Sequence, residues 1–340
     1  MITFSKQVQE FEHWFSNHEK DLRTALDQNK TEKAQTILKD PLSLVLGEFP
    51  FQLYRTQHNR YIVEFNTILD NCSKILCYYL CDNLKGKYNK YWDFYYYHPA
   101  FKGTLTGNNN ITFTKEDIDM HIVVDKQRKK FDIHVINNAK LTNLPDSDKY
   151  MVVYMMLIDY AGELVVESYI GSMQVDNKVP KAMIKKVKKV NIMELAPFIS
   201  EQCVENKWTL PKDISLVADT FKAKNKDKEV RKDIIEGVSY CLDLLNEEGG
   251  TDKAMRNFLR ICKVGYYSIL LKDRSKTVKN VIEVKVNEIL NKSHSGMIVS
   301  SCIGNSYNYI DFFVYDDATL VEIKSKIIDT SNDTLSLMEL

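Results

Sequence analysis

The chain has 340 residues, of which 44% are hydrophobic, and this composition can fill two hydrophobic cores of ordinary size. Its 46 basic residues balance its 46 acidic residues, which excludes attraction to nucleic acid or anionic membrane through net charge. The opening residues, MITFSKQVQEFEHWF, lack the apolar core of a signal peptide, and no apolar run is long enough to span a bilayer. We therefore expect a globular cytoplasmic protein without a membrane partner.

Cysteine usage also fits a reducing compartment. There are seven cysteines, an odd number, and no two of them form a CxxC pair. Cys72, Cys77 and Cys81 fall on one predicted helix, with no histidine or further cysteine nearby in sequence to complete a tetrahedral metal site. We expect these side chains to pack as small apolar residues, and the sequence predicts no cofactor.

Apolar periodicity predicts mixed helices and strands over the first half of the chain. Helical spacing predicts an amphipathic helix over residues 4–28, with Trp14 and Phe15 as core anchors. Further predicted elements are a helix over 31–39, strands over 51–54 and 61–65, a helix over 68–84 that stops around Gly86, a strand over 91–98, and strands over 118–124 and 131–136. The apolar run MVVYMMLIDY predicts a buried helix that ends at Gly162, and the alternating segment LVVESYIGSM predicts a strand after it.

A lysine-rich connector is predicted between two domains. Six lysines and no acidic residue lie between Lys178 and Lys189, and a helix is predicted near 192–206. The elements predicted after it are a helix over 227–247, strands over 258–271, a helix or strand over 278–290, a hairpin of 296–303 with 307–315, and a helix over 318–329. The predicted fold is α+β with two domains, residues 1–176 and 226–340, each a largely antiparallel sheet covered by helices, joined by the connector at 177–225.

Over residues 4–175, the order of features resembles a bacterial family of unknown function, whose members occur alone or joined to a second small α+β domain. The resemblance rests on the aromatic helix with Trp14-Phe15, the strand pair around 51–65, the Trp92 strand that ends at Pro99, the Glu116-Asp117-Ile118 entry into a hairpin, and Leu157-Ile158-Asp159-Tyr160-Ala161-Gly162-Glu163. It implies an α+β domain and supplies no catalytic residues. Some members lie near toxin and immunity genes, which implies a binding role by association.

The strand YWDFYYYH offers a candidate surface for a protein partner. Alternation along a strand places Tyr91, Tyr95 and Tyr97 on one face, opposite a set of aromatic residues expected in the core. Buried phenol hydroxyls need hydrogen-bond partners, whereas a binding surface favours tyrosine as a rigid anchor with a polar tip. The alternative is a second layer of helices that covers the tyrosine face.

The hairpin after residue 118 offers a candidate metal site. If Val124 pairs with Phe131, His121 lies opposite His134, and Asp119 and Asp132 share their face of the sheet. Two imidazoles and two carboxylates are suitable ligands for a divalent metal. The alternative, which we favour, is the solvated polar face of an antiparallel sheet whose other face is apolar.

A third candidate is a nuclease site. Asp311, Glu322 and Lys324 have the order of a metal-dependent nuclease core, in which two carboxylates bind Mg²⁺ and a lysine stabilises the phosphate. That chemistry needs Glu322 and Lys324 on a strand, whereas the apolar residues around them have helical spacing, which favours a surface helix.

We favour a non-catalytic protein that binds another protein, with an immunity or defence-associated role as its most specific form. Two alternatives stay open: a metal-dependent nuclease or phosphoesterase that uses Asp311, Glu322 and Lys324, and a nucleic-acid-binding regulator that uses the lysine run 178–189. A solvated connector explains the lysine run more simply than contact with phosphates, so nucleic acid is not the partner we expect.

Overall fold

The computed structural model describes residues 2–67, 70–101, 105–106, 112–179, 187–209, 218–224, 226–245, 251–331 and 334–340. Its helices are α1 (Phe4–Asp27), α2 (Thr31–Leu46), α3 (Asn71–Tyr88), α4 (Ala139–Thr142), α5 (Asp146–Ala161), α6 (Glu163–Tyr169), α7 (Leu195–Glu205), α8 (Thr251–Ile261), α9 (Lys276–Lys292) and α10 (Asp317–Ile323). Its strands are β1 (Phe51–Arg55), β2 (Tyr61–Phe65), β3 (Trp92–Tyr95), β4 (Leu105–Thr106), β5 (Thr112–Phe113), β6 (Asp119–Asp125), β7 (Lys130–Ile136), β8 (Ile170–Asp176), β9 (Lys188–Asn191), β10 (Asp219–Lys222), β11 (Ile234–Ser239), β12 (Gly265–Leu271), β13 (Gly296–Gly304), β14 (Asn308–Val314) and β15 (Leu335–Glu339). Largely antiparallel sheets pack with helices, which confirms the α+β class.

The chain divides into two compact units, and the first is discontinuous in sequence. It joins Met1–Tyr96 to Ala218–Leu340, and the second unit is Tyr97–Val217. These boundaries differ from the predicted ones, because the prediction assumed that neighbouring segments of the chain share a core. None of the helices that the structure describes has an apolar stretch long enough to span a bilayer.

The N-terminal part of the first unit is built around a small sheet of order β1-β2-β3, in which β1 and β2 form the predicted hairpin. Phe15 of α1 is fully buried, and its ring meets the rings of Trp92 and Phe94 edge to face at 5.1 and 5.5 Å between centroids. Trp14 does not share this position, which corrects its predicted role as a core anchor. It stays partly exposed and stacks on His18, because successive helical residues point about 100° apart.

The C-terminal part of the first unit is a six-stranded antiparallel sheet of order β10-β11-β13-β14-β12-β15. Helices α9 and α10 cover one face, where Ile310 and Phe312 of β14 pack with Ile323 of α10 in one apolar cluster. The predicted hairpin of residues 296–303 with 307–315 is confirmed as β13 and β14. Residues 278–290, predicted as helix or strand, lie in α9.

The second unit contains a four-stranded sheet of order β8-β7-β6-β9. Strands β6 and β7 form the predicted hairpin, and the predicted register is confirmed, since Val124 pairs with Phe131 and His121 with His134. The apolar face of the hairpin is buried. Helix α5 ends at Gly162 as predicted, in a backbone conformation (φ 86°, ψ 145°) that is essentially restricted to glycine.

Several predicted elements are wrong, and in most of them tertiary contacts override local periodicity. The segment LVVESYIGSM begins as α6 and becomes a strand only at Ile170. The helix predicted over 227–247 is replaced by β11, which pairs with both β10 and β13. Residues 251–261, partly predicted as strand, form α8, and β15 was not predicted. Helix α2 continues through Pro41 to Leu46, and α3 continues through Gly86 to Tyr88.

Candidate functional site

Two of the three predicted partner-binding tyrosines, Tyr91 and Tyr95, lie next to and in β3 of the small sheet. Tyr91 immediately precedes β3, and its ring is 37% exposed. The guanidinium of Arg23 lies 4.3 Å from the ring centroid, and the ammonium of Lys90 lies 5.0 Å from it. Two cations close to one aromatic ring restrict its motion through cation–π attraction. Tyr91 is therefore exposed and at the same time held in place.

Arg60 orders the turn that carries Tyr91. Its guanidinium forms a bidentate pair with Asp93, at 2.8 Å from Nε to Oδ2 and 2.6 Å from Nη2 to Oδ1. The remaining N–H groups donate to the backbone carbonyls of Asn89 and Lys90, at 2.7 and 2.8 Å, and of Trp92, at 3.0 Å. All five guanidinium donors are thus used between α3 and β3, which makes this turn a rigid base for the tyrosine.

Tyr95 lies on the face of the small sheet opposite the core aromatic residues and is partly buried. Across the sheet it is in register with Glu64, which is 5% exposed and accepts a hydrogen bond of 2.8 Å from the hydroxyl of Tyr54. Burial raises the pKa of Tyr95, and the carboxylate of Asp93 adds to the effect. Tyr95 is therefore a neutral phenol beside charged groups.

Tyr97 is assigned to the second unit, whereas Tyr91 and Tyr95 are in the first. Strand β3 ends at Tyr95, and the backbone bends at residues 96 and 97, so the predicted alternation does not extend to Tyr97. The predicted core residues of the same segment, Trp92, Phe94 and Tyr96, are confirmed as buried. The candidate docking surface in the first unit consists of Tyr91 and Tyr95, and we call it the tyrosine surface.

The predicted metal ligands His121 and His134 lie on the polar face of the second unit's sheet, and each is close to a different carboxylate. His134 is 2% exposed, and its Nδ1 lies 2.9 Å from Oδ2 of Asp176. His121 lies 3.5 Å from Asp119, a carboxylate that also lies 2.8 Å from the ammonium of Lys189. Among the described residues, no group of three or more His, Cys, Asp or Glu side chains is placed to hold a metal ion.

The fourth predicted ligand of that site, Asp132, contacts two neighbouring side chains. Its Oδ2 lies 2.5 Å from Nη2 of Arg128, and its Oδ1 accepts a hydrogen bond of 2.8 Å from Ser172. The short loop that joins β6 to β7 thus contains an arginine, Arg128, that bridges Asp132 and Asp125. These contacts stabilise the hairpin and its pairing with β8.

The predicted nuclease residues lie on opposite faces of the six-stranded sheet. Adjacent residues of a strand point to opposite faces, so Asp311 faces away from Ile310, Phe312 and α10. Glu322 is on α10, where its Oε1 lies 2.6 Å from Nζ of Lys326, and Lys324 is exposed on the same helical segment. Asp311 and Glu322 are not brought together, because Glu322 is on a helix and Asp311 on the far side of β14.

Asp311 instead belongs to a buried polar network that sequence patterns did not reveal. It is fully buried, and its Oδ1 lies 2.8 Å from Nη1 of Arg231. Burial disfavours the charge on Arg231, but the adjacent carboxylate outweighs it and raises the pKa of the guanidinium. The buried hydroxyl of Tyr266 and the Oδ2 atom of Asp311 have no hydrogen-bond partner within the described parts of the chain. Burial, followed by the charge of Asp311, raises the pKa of Tyr266.

Only part of the lysine run can be assigned, since 180–186 lie outside the described residues. Lys188 and Lys189 are in β9, with the ammonium of Lys188 at 4.8 Å from the ring of Phe198. Lys189 pairs with Asp119. These two lysines thus contact side chains of their own unit.

The motif from Asp159 to Glu163 positions a histidine that the sequence analysis missed. The ring Nε2 of His98 lies 3.0 Å from Oδ1 of Asp159, and its backbone N–H donates to Glu163 Oε2 at 2.7 Å. The backbone N–H of Glu163 donates in return to the carbonyl of His98. Gly162 lies between the two carboxylates, and a Cβ there would be 3.4 Å from the backbone nitrogen of Ala100. The motif holds the segment after β3 in place.

A second feature missed from the sequence is a disulfide between Cys72 of α3 and Cys241, which follows β11.

Comparison of the chain with family models, curated proteins and solved structures gave no match.

Proposed function

We propose that this protein binds another protein without catalysis and that the partner docks on the tyrosine surface of the first unit. The observation that carries the proposal is the state of Tyr91, which is exposed and has the cations of Arg23 and Lys90 close to its ring. A ring that is already ordered loses little conformational entropy when a partner covers it. Tyrosine also offers apolar area together with a polar tip, the combination found at binding hot spots.

The position of β3 supports the same proposal. Among the described strands, β3 lies at one edge of its sheet, next to β2. The turn that presents Tyr91 is fixed by Arg60, so a partner would meet a rigid element. Arg23 already pairs with Glu19, at 2.6 Å from Nε to Oε2, so it is the exposed ammonium of Lys90 that favours a partner with a carboxylate.

In its most specific form, the proposal is an immunity or defence-associated role, in which the partner is a toxin or another defence protein. This form rests on the family resemblance described above and on no contact in the structure. A toxin gene next to the gene for this protein would support it.

The test uses the tagged chain as bait for proteins in a cell lysate. The variants Tyr91→Ala and Tyr95→Ala and the matched control Tyr150→Ala serve as separate baits. Tyr150 is an exposed tyrosine of the second unit, at 42% exposure. We expect at least one protein that the wild type and Tyr150→Ala retain equally and that Tyr91→Ala retains about tenfold less. The melting temperature of each variant should stay close to that of the wild type. Equal capture by all four baits would contradict the proposal.

A further inference from the structure

We propose that Cys72 and Cys241 form a reversible, redox-controlled crosslink that sets the local stability of the first unit. The structure joins the two sulfur atoms across 169 residues of sequence, with the Cα atoms 5.6 Å apart. This Cα separation is in the range that disulfides ordinarily occupy. Both residues belong to the first unit, and the whole second unit lies between them in sequence.

Cys72 is the second residue of α3, an 18-residue helix whose N-cap is Asp70. The carboxylate of Asp70 accepts a hydrogen bond of 3.0 Å from the backbone N–H of Ser73, so a negative charge already caps this end of the helix. The thiolate is the nucleophile in disulfide exchange, and either cysteine of the pair can supply it.

The five remaining cysteines are also buried. Burial raises the pKa of Cys262 and of Cys302 to about 12, and it raises the pKa of Cys77 and Cys81 well above that of a free thiol. Burial also raises the pKa of Cys203, which is in the second unit. These five are free thiols in the structure, so Cys72 and Cys241 are the pair placed to form a crosslink.

The co-reactant of the proposed reaction is a low-molecular-weight disulfide, written RSSR. The thiolate of one cysteine attacks one sulfur of RSSR, which forms a mixed disulfide and releases RS⁻. The thiolate of the other cysteine then attacks the protein sulfur of the mixed disulfide and releases the second RS⁻. The protein loses two electrons and two protons, and RSSR becomes two RSH. The reverse reaction, with excess RSH, restores both thiols.

The crosslink connects α3 to the turn that follows β11. Cys241 begins the turn over Leu242–Leu244, which packs on α8, and Cys72 lies at the start of α3. Both cysteines are at most 3% exposed, so exchange requires a local opening of this region. Once formed, the crosslink suppresses the same opening, because α3 and the turn can no longer separate.

The experiment uses the full chain equilibrated with oxidised or with reduced glutathione, then denatured, alkylated and digested without reduction. With oxidised glutathione, mass spectrometry should find a peptide pair that links Cys72 to Cys241, and the five other cysteines should carry the alkyl label. With reduced glutathione, all seven should carry it. Seven labelled cysteines after oxidation, a persistent mixed disulfide with glutathione, or a different linked pair would each overturn the proposal.

Limited proteolysis supplies the readout of stability. We expect the first unit of the reduced protein to be cleaved about tenfold faster than that of the oxidised protein. Cys72→Ser and Cys241→Ser should show the fast rate in both buffers, and the control Cys203→Ser should keep the difference. If a serine variant fails to fold, the reduced wild type still supplies the comparison. Equal rates for the oxidised and reduced wild type would overturn the proposal.

Discussion

The buried ion pair between Arg231 and Asp311 offers a quantitative test of the first unit's architecture. Their side chains are 11% and 0% exposed, and the charged atoms are 2.8 Å apart. Removing one partner leaves the other charge buried without compensation. We therefore expect Arg231→Met and Asp311→Leu each to lower the free energy of unfolding by about 3 to 5 kcal/mol.

The double variant should behave differently from the sum of the single variants. With both charges removed, apolar side chains of similar volume occupy the site, and no buried charge remains to be compensated. We expect the double variant to lose about 2 kcal/mol or less, which corresponds to a coupling energy of several kcal/mol between the positions. The exposed pair of Lys232 and Glu229, at 49% and 66% exposure, provides a control. Lys232→Met should change stability by about 0.5 kcal/mol or less.

The assay is urea unfolding of all four variants and the wild type, monitored by tryptophan fluorescence and by far-ultraviolet circular dichroism. Trp92, buried beside α1, reports on the first unit. Because the chain has two compact units, the transition should be assigned to one of them before free energies are compared. If the effects of the single substitutions add in the double variant, the two side chains do not depend on each other and the reasoning is refuted.

Three further outcomes follow from packing, hydrogen bonding and titration. In the same unfolding assay, Phe15→Ala should destabilise the first unit by about 3 to 5 kcal/mol and Trp14→Ala by about 1 kcal/mol. The opposite order would identify Trp14 as the core residue. Arg60→Lys should cost about 1 to 2 kcal/mol, because an ammonium cannot reproduce the bidentate pair, and hydrogen exchange should increase in the turn before β3 while other amides stay unchanged. The raised pKa values of Cys262 and Cys302, from 9.0 to about 12, predict a pH effect. Their contribution to stability is full below about pH 9 and declines as pH rises toward 12, because the unfolded thiols ionise first, and Ala at both positions should flatten this decline.

Local patterns were sufficient where neighbouring residues alone set the structure. The pairing of His121 with His134 follows from a short charged turn and the two-residue period of a strand, and the observed register agrees. The end of α5 follows from Gly162, since the required backbone angles exclude other residues. Alternation along the strand also placed Tyr91 opposite the core aromatic residues, and the structure leaves Tyr91 exposed and Tyr95 partly buried.

Tertiary structure decided the features that join distant parts of the chain. Arg231 and Asp311 are 80 residues apart, and no periodicity indicates that one would neutralise the other. The Cys72–Cys241 crosslink spans 169 residues, and the odd cysteine count had favoured a chain without disulfides. Strand β11 forms where local spacing suggested a helix, because β10 and β13 supply hydrogen-bond partners on both sides. The physical reason is common to all three: the environment that stabilises each group is supplied by segments remote in sequence, and periodicity within one segment carries no information about them.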